Sequence, residues 1–224
     1  MIRANGYQRY SIWEHSRHVL ELYTKRCRLE VEEMTCAAQA AELLAGRVRP
    51  GEDLLDVGCG SGYFYHSLKK RGIPAEYYGI DASRSLIEIG REALPAHGLD
   101  PDRLRVIRIE DLDGEVDHIV CMNVLSNLDN YPRPLERMLS CARRTVILRE
   151  SLAEVADYRY VVDEYLDPGV RLRVHVNVYP LEEVIAFIQS FGFSAQLLED
   201  RRTGGTPEMV IGYPHHWKFL VATR

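Results

Sequence analysis

Residues 54–62 read LLDVGCGSG, an apolar run that closes on an acid, Asp56, and continues into three glycines at alternate positions, Gly58, Gly60 and Gly62. Glycine is required where a chain turns from strand to helix around a ligand, because a Cβ would block both positive φ angles and close backbone approach. Nineteen residues beyond Gly62, the segment YYGIDAS puts Asp81 and Ala82 at the end of a second apolar run. A carboxylate there can accept hydrogen bonds from ribose hydroxyls. Two details argue against a dinucleotide. A Gly-x-Gly-x-x-Gly loop would need glycine where Tyr63 stands, and Asp56 is placed to meet an ammonium but would repel a pyrophosphate.

These residues need a scaffold, and the hydrophobic pattern supplies one. Residues 11–46 read as two helices, the first carrying Val19, Leu22, Tyr23 and Cys27, the second running EEMTCAAQAAELLAG, with Gly46 and Pro50 as stops. Five β-like runs follow (DLLDVG, AEYYGI, RLRVIRI, DHIVCM, RTVILRE), separated by helical runs FYHSLKKRG, RSLIEIGREAL and RPLERMLSCA. Strands alternating with helices imply right-handed crossovers and a mostly parallel, doubly wound α/β sheet, with a ligand at the carboxyl ends of its strands. After Glu150 the alternation breaks for a stretch ending in VRLRVHVNVYP. It resumes with a helix, LEEVIAFIQSFGF, and two strands near SAQLLED and HWKFLVAT, predicted as an antiparallel edge pair joined by the loop RTGGTPEMVIGYP.

Composition narrows the class. A chain of 224 residues with 46% hydrophobic content suits one domain with added elements. Lys and Arg number 28 against 33 Asp and Glu, a net charge of -5, so no basic footprint points to nucleic acid. Five scattered cysteines form no zinc pattern and fit reduced thiols, and no segment has a membrane-spanning or signal-peptide character. The expectation is a cytoplasmic protein without metal.

With an acid followed by Gly-x-Gly-x-Gly and a second acid after the next strand, the chain resembles the class I S-adenosylmethionine-dependent methyltransferases, closely over about 48–149 and more loosely beyond. The resemblance implies a Rossmann-like, seven-stranded sheet with an antiparallel last strand, S-adenosyl-L-methionine as cofactor, and enzymatic methyl transfer. It divides the single domain into an N-terminal helical lid (1–47), a cofactor-binding core (48–150), a cap insertion (151–180) and a C-terminal helix and strand pair (181–224). It also implies that Gly58, Gly60 and Gly62 pass the methionine and sugar, that Asp81 holds the ribose, and that an acid after the third strand meets adenine. Glu110, Asp111 and Leu112 occupy that last place, and Asp111 is preferred as the acid expected to serve. Asn123, in the segment after the fourth strand, falls beside the methionine end and the acceptor.

Acceptor chemistry is less legible. Methyl transfer from a sulfonium is an in-line displacement in which positioning alone supplies much of the rate. A hydroxyl acceptor gains from a base, and where relatives often carry histidine this chain has Asn127, which orients but takes no proton. The run 170–178 alternates Val170, Leu172, Val174, Val176 and Val178 with Arg171, Arg173, His175 and Asn177, the pattern of a two-faced strand. If its polar face meets the cleft, Arg171 and Arg173 favour an anionic small molecule and His175 is a candidate base; the alternative is a solvated face. Tyr7, Tyr10, Trp13 and His15 could close over the cofactor, Tyr10 beside it and Trp13 beside the acceptor. His215 and His216 read as a solvated edge-loop pair. The expected activity is methylation of O or N on a small molecule. The alternatives are a protein or RNA methyltransferase, a non-catalytic cofactor-binding module and, most distantly, a dehydrogenase.

Overall fold

The glycine loop lies at the end of the first strand of a sheet whose two faces are both covered by helices. A computed structural model describes residues 5–224, with side chains from Tyr7 onward. In chain order, α1 (Asn5–Tyr10), α2 (Arg17–Cys27) and α3 (Thr35–Leu44) precede β1 (Asp53–Val57). The alternation then runs α4 (Phe64–Lys70), β2 (Glu76–Asp81), α5 (Arg84–Ala93), β3 (Leu104–Val106), β4 (Val116–Met122), α6 (Pro132–Cys141) and β5 (Ala142–Ala153). After β5 come β6 (Tyr160–Val162), β7 (Arg173–His175), β8 (Tyr179–Pro180), α7 (Leu181–Ser190), β9 (Ser194–Glu199), β10 (Glu208–Val210), β11 (Tyr213–His215) and β12 (Trp217–Thr223).

The main sheet has the order β3-β2-β1-β4-β5-β12-β9, with β8 adding two residues beside β5. The pairs from β3 to β5 are parallel, and β12 runs antiparallel to both β5 and β9. The order reverses between β1 and β4, opening the crevice that receives a ligand in this architecture. Helices α6 and α7 pack Leu135, Met138, Val184 and Ile188 on one face, and α3, α4 and α5 pack Leu44, Phe64, Leu68 and Ile87 on the other. Strands buried on both sides must be apolar throughout, hence the near-continuous hydrophobic runs of β1, β4 and β5. Serines cap two helices: Ser16 accepts from the N–H of Val19, and Ser83 from that of Leu86.

Three expectations are corrected. The third strand spans three residues, because the chain turns at Ile107 into a 3-10 helix over Ile109–Asp111. The antiparallel edge pair forms as expected, with β9 outermost and β12 lying between it and β5. The alternating run 170–178 is not one strand: only Arg173–His175 pairs, with the three-residue β6, and Val178 makes an isolated bridge to Asp157. Its alternation survives as burial of Val174, Val176 and Val178. The loop before β12 contains the hairpin β10–β11, turning through Ile211 and Gly212, both at positive φ. Two such residues make the turn whose twist matches a hairpin.

These irregular parts meet in a small third core. Ile12 from the N-terminal segment, Val174 and Val176 from the cap, and Ile211 and Tyr213 from the hairpin pack together. Polar contacts reinforce the roof: Ser16 Oγ donates to the Tyr165 carbonyl at 2.6 Å and the Asp167 N–H to the His15 carbonyl at 2.9 Å. Glu14 anchors it to α5, accepting from Ser83 Oγ at 2.9 Å and from Ser85 Oγ.

The glycine loop also packs tightly against α5. A Cβ on Gly90, in that helix, would lie 2.1 Å from the Ser61 carbonyl oxygen and 2.7 Å from a Leu104 methyl. Gly90→Ala is expected to lower stability by about 1–3 kcal/mol through this overlap, although alanine is the better helix former by about 1 kcal/mol. Thermal unfolding measures the balance, and an unchanged or raised Tm would mean that the loop yields freely.

Candidate functional site

A cavity of about 830 Å³ opens above the carboxyl ends of β1, β2, β4 and β5, walled by the N-terminal segment, the cap and the β10–β11 hairpin. Its floor is the glycine loop. Asp81 Oδ2 accepts from the Gly60 N–H at 2.8 Å, and Oδ1 from the Ser83 N–H at 2.7 Å, so one carboxylate ties the loop after β1 to the start of α5. Burial pushes Asp81 up to about 6, against the pull of those N–H donors. Asp56 accepts from the Tyr77 hydroxyl at 2.8 Å, and burial pushes it up to about 7. Gly58 lines the cavity at positive φ. Gly60 is also at positive φ, and a Cβ there would lie 2.3 Å from the Tyr23 ring. Arg26 stacks over Tyr23 and Tyr63 at 4.9 and 5.0 Å and also reaches the cavity.

The structure brings most of the expected residues together. Asp56, Gly58, Asp81, Ala82, Asn123, Asn127, Tyr10, Trp13, Arg173 and His175 all line this space. Gly60 and Gly62 lie behind its surface, Gly60 under Tyr23 and Gly62 against Leu104 and Leu94. Arg171 is exposed and does not reach the cavity. On the third acid, the structure puts Glu110 in the lining instead of Asp111, which is exposed, while Leu112 joins the core. The cause is the 3-10 turn: successive side chains there point about 120° apart, so proximity to the strand end does not decide which acid faces inward. Arg108 pairs with Glu110 at 3.2 Å.

The polar face of 170–178 divides. Arg173 is exposed at the rim over Tyr160, His175 stacks on Tyr160 at 4.5 Å, and Asn177 is buried, donating to the Leu128 carbonyl at 2.7 Å. Asn177 is therefore a brace for the segment after β4.

Sequence reasoning passed over the far wall. Arg149, within β5 opposite the last residue of β4, is 2% exposed; its Nε donates to Asp200 at 2.7 Å, its Nη1 to Asn123 Oδ1, and it lies 4.4 Å from the Trp217 ring. Trp217 Nε1 donates to Glu208 at 2.9 Å. His215, expected to be solvated, is 3% exposed, stacks on Trp217 at 4.8 Å and lines the cavity. Its Nδ1 lies 3.3 Å from the Tyr213 carbonyl, which can only accept, so Nδ1 carries the hydrogen and Nε2 keeps its lone pair. Burial lowers its pKa below the usual histidine value, leaving the ring neutral at neutral pH. The readable signal was the alternation of the last strand: extended backward from Phe219 through Trp217, it puts His215 on the inward face.

Comparisons with known proteins agree with this geometry. A family described as a methyltransferase domain matches residues 31–198. The chain is 32% identical over 97 residues to a ubiquinone biosynthesis O-methyltransferase of Alkalilimnicola ehrlichii and 30% identical over 94 residues to that of Hahella chejuensis. Each match covers 42% of this chain, and the chain spans only 37% and 39% of those relatives. Among solved structures, magnesium protoporphyrin IX methyltransferase from Synechocystis, with bound S-adenosylhomocysteine, has a similar fold (TM-score 0.59, 18% identity, 84% of this chain and 82% of that one). So does a 1,6-didemethyltoxoflavin N1-methyltransferase of Burkholderia thailandensis (TM-score 0.55, 16% identity, 85% and 79%). The β10–β11 hairpin and most of the N-terminal roof fall outside the family match.

Two predictions follow from the buried ionisable groups. Asp56 is raised to about 7 in the folded chain, so folding takes up a proton between the ordinary carboxylate range and that value, and stability falls as pH rises through the window. Asp56→Asn does not titrate; near pH 8 it is expected to gain about 1–3 kcal/mol over the ligand-free wild type, with the gain gone near pH 4. Denaturant unfolding at both pH values measures it, and parity at both would contradict the raised pKa. For His215, the nitrogen chemical shifts of the imidazole at neutral pH are expected to show a protonated Nδ1 and a bare Nε2, with titration only below the usual histidine range. The opposite tautomer would remove it as a proton acceptor.

Proposed function

The chain belongs to the methyltransferase-domain family, the S-adenosylmethionine-dependent class I enzymes, and from that premise we propose that it methylates a small molecule at an oxygen or nitrogen, with the roofed cavity holding donor and acceptor together. The observation that carries the proposal is the continuity of one cavity from the glycine loop and Asp81 to Arg149, Trp217 and His215. S-adenosyl-L-methionine supplies an electrophilic methyl on a sulfonium, which becomes a neutral thioether as the acceptor lone pair forms the new bond.

The residues present fit that cofactor. Gly58 leaves bare backbone on the cavity surface, Asp81 offers carboxylate oxygens to ribose hydroxyls, and Glu110 takes the adenine role expected of Asp111. Asp56 is a buried carboxylate that an ammonium would convert to its charged form. Arg26 offers a cation for the cofactor's carboxylate. Tyr10 and Trp13, on the N-terminal roof, screen the sulfonium from water.

On the acceptor side, Arg173 at the rim suits an anionic substituent, as the sequence suggested, whereas Arg171 plays no part because it lies outside the cavity. A hydroxyl acceptor loses its proton as the new C–O bond forms, and His215, neutral with Nε2 bare, is better prepared to take it than His175. A small acceptor also accords with the ubiquinone, protoporphyrin and toxoflavin methyltransferases that the chain resembles and with a net charge of -5.

Calorimetric titration with S-adenosylhomocysteine tests the premise. Micromolar binding, about -8 kcal/mol, is expected for the wild type, with loss in Asp81→Ala and no binding of NAD. Glu110→Ala is expected to weaken binding about tenfold while Asp111→Ala leaves it unchanged, since a lost hydrogen bond from adenine costs about 1.4 kcal/mol. Wild-type protein that ignores the thioether, or prefers NAD, would remove the functional reading.

A further inference from the structure

The two asparagines after β4 line the same cavity, and each has its amide turned by a partner that permits one orientation only. Arg149 donates through Nη1 to Asn123 Oδ1. A guanidinium has no acceptor, so the Asn123 oxygen must face it and the NH2 must face the other way. Asn127 is held the opposite way: its Nδ2 donates to the Asn123 main-chain carbonyl at 2.8 Å, an atom that can only accept. Its Oδ1 is then the free end. Neither Asn123 Nδ2 nor Asn127 Oδ1 makes a hydrogen bond among the described residues, and neither is among the polar atoms shut off from open space.

The supports are rigid. Arg149 is fixed by Asp200 at 2.7 Å and by the Trp217 ring at 4.4 Å. Asn123 sits at φ 61°, a left-handed conformation that asparagine tolerates better than most residues, with its N–H donating to the Arg149 carbonyl at 2.8 Å. Glu150 accepts from the N–H groups of Val124, Leu125 and Ser126, holding the turn between the two amides.

We infer that Asn123 and Asn127 are a polarity-fixed pair that reads the methyl acceptor, Asn123 offering only N–H and Asn127 only C=O, and that they select a molecule carrying a hydroxyl on the same edge as a carbonyl or carboxylate oxygen. The oxygen takes the Asn123 N–H, and the hydroxyl donates to Asn127. Arg149 acts as a positioning residue, since reversal of the Asn123 amide would set an NH2 against a guanidinium. This rests on the cavity being the methyl-transfer site, and it moves Asn123 from the cofactor side to the acceptor side.

The test uses wild-type protein saturated with S-adenosylhomocysteine and titrated with ortho-, meta- and para-hydroxybenzoate, with binding followed by NMR. The ortho and meta isomers present donor and acceptor on one edge; the para isomer sets them at opposite ends. The better of the first two is expected to bind about tenfold more tightly than the para isomer, the worth of one directed hydrogen bond in a desolvated site. Asn123→Asp keeps an oxygen for Arg149, and aspartate also tolerates the left-handed conformation, so the variant is expected to melt within a few degrees of wild type. Because it presents oxygen where NH2 stood, the preference should collapse to near parity. Absence of binding by every isomer, equal binding in the wild type, or a preference that survives in Asn123→Asp would each overturn the inference. Failure of S-adenosylhomocysteine itself to bind is a separate result, and it would remove the functional reading beneath it.

Discussion

A strand that ends at a ligand site leaves the next loop with backbone N–H groups that no ladder can satisfy, and in this protein carboxylates of neighbouring strands take them. Glu150, 1% exposed, accepts from three consecutive N–H groups after β4, at 2.8, 2.9 and 3.0 Å. Burial pushes its carboxyl up while those donors hold it back toward the charged form. Asp81 performs the same service for Gly60 and Ser83. Because a buried carboxylate without such donors would be costly, loop and acid specify one another. The cavity floor is therefore preorganised before any ligand arrives.

The wall above it follows from β5. Arg149 and Glu150 are adjacent in that strand, so their side chains leave on opposite faces, yet both act on the segment after β4: one through the Asn123 side chain, the other through its backbone neighbours. The ion pair of Arg149 with Asp200 is almost fully buried, with side chains 3% and 0% exposed. Such pairs seldom add net stability over an apolar replacement. What this one does is hold a planar cation in a single orientation, and the orientation of an amide follows from it.

The roof is assembled from segments far apart in sequence, joined by a small apolar core and by contacts such as Glu14 to Ser83. Its aromatic members Tyr10, Trp13 and Tyr160 line the cavity.

The floor of the cavity was legible in the sequence because it is local: Asp56, the three glycines and Asp81 sit at fixed offsets from strand ends, and strands buried on both faces announce themselves by composition. The order of helices and strands followed for the same reason. Details that depend on a single turn were lost, as at Glu110 and Asp111, where a 3-10 helix of three residues decides which acid faces inward. The far wall and the roof of the cavity required the fold. The alternation of 170–178 correctly marked a buried face but not a long strand, since pairing depends on a partner, and β6 offers only three residues. His215 became a cavity residue because β12 inserts beside β5 and carries the hairpin with it. The Arg149, Asn123 and Asp200 cluster joins positions whose spacing along the chain carries no signal. Sequence alone determines what hydrogen-bond geometry within one strand and its turn can specify; tertiary structure decides what depends on which distant strand ends come to lie side by side.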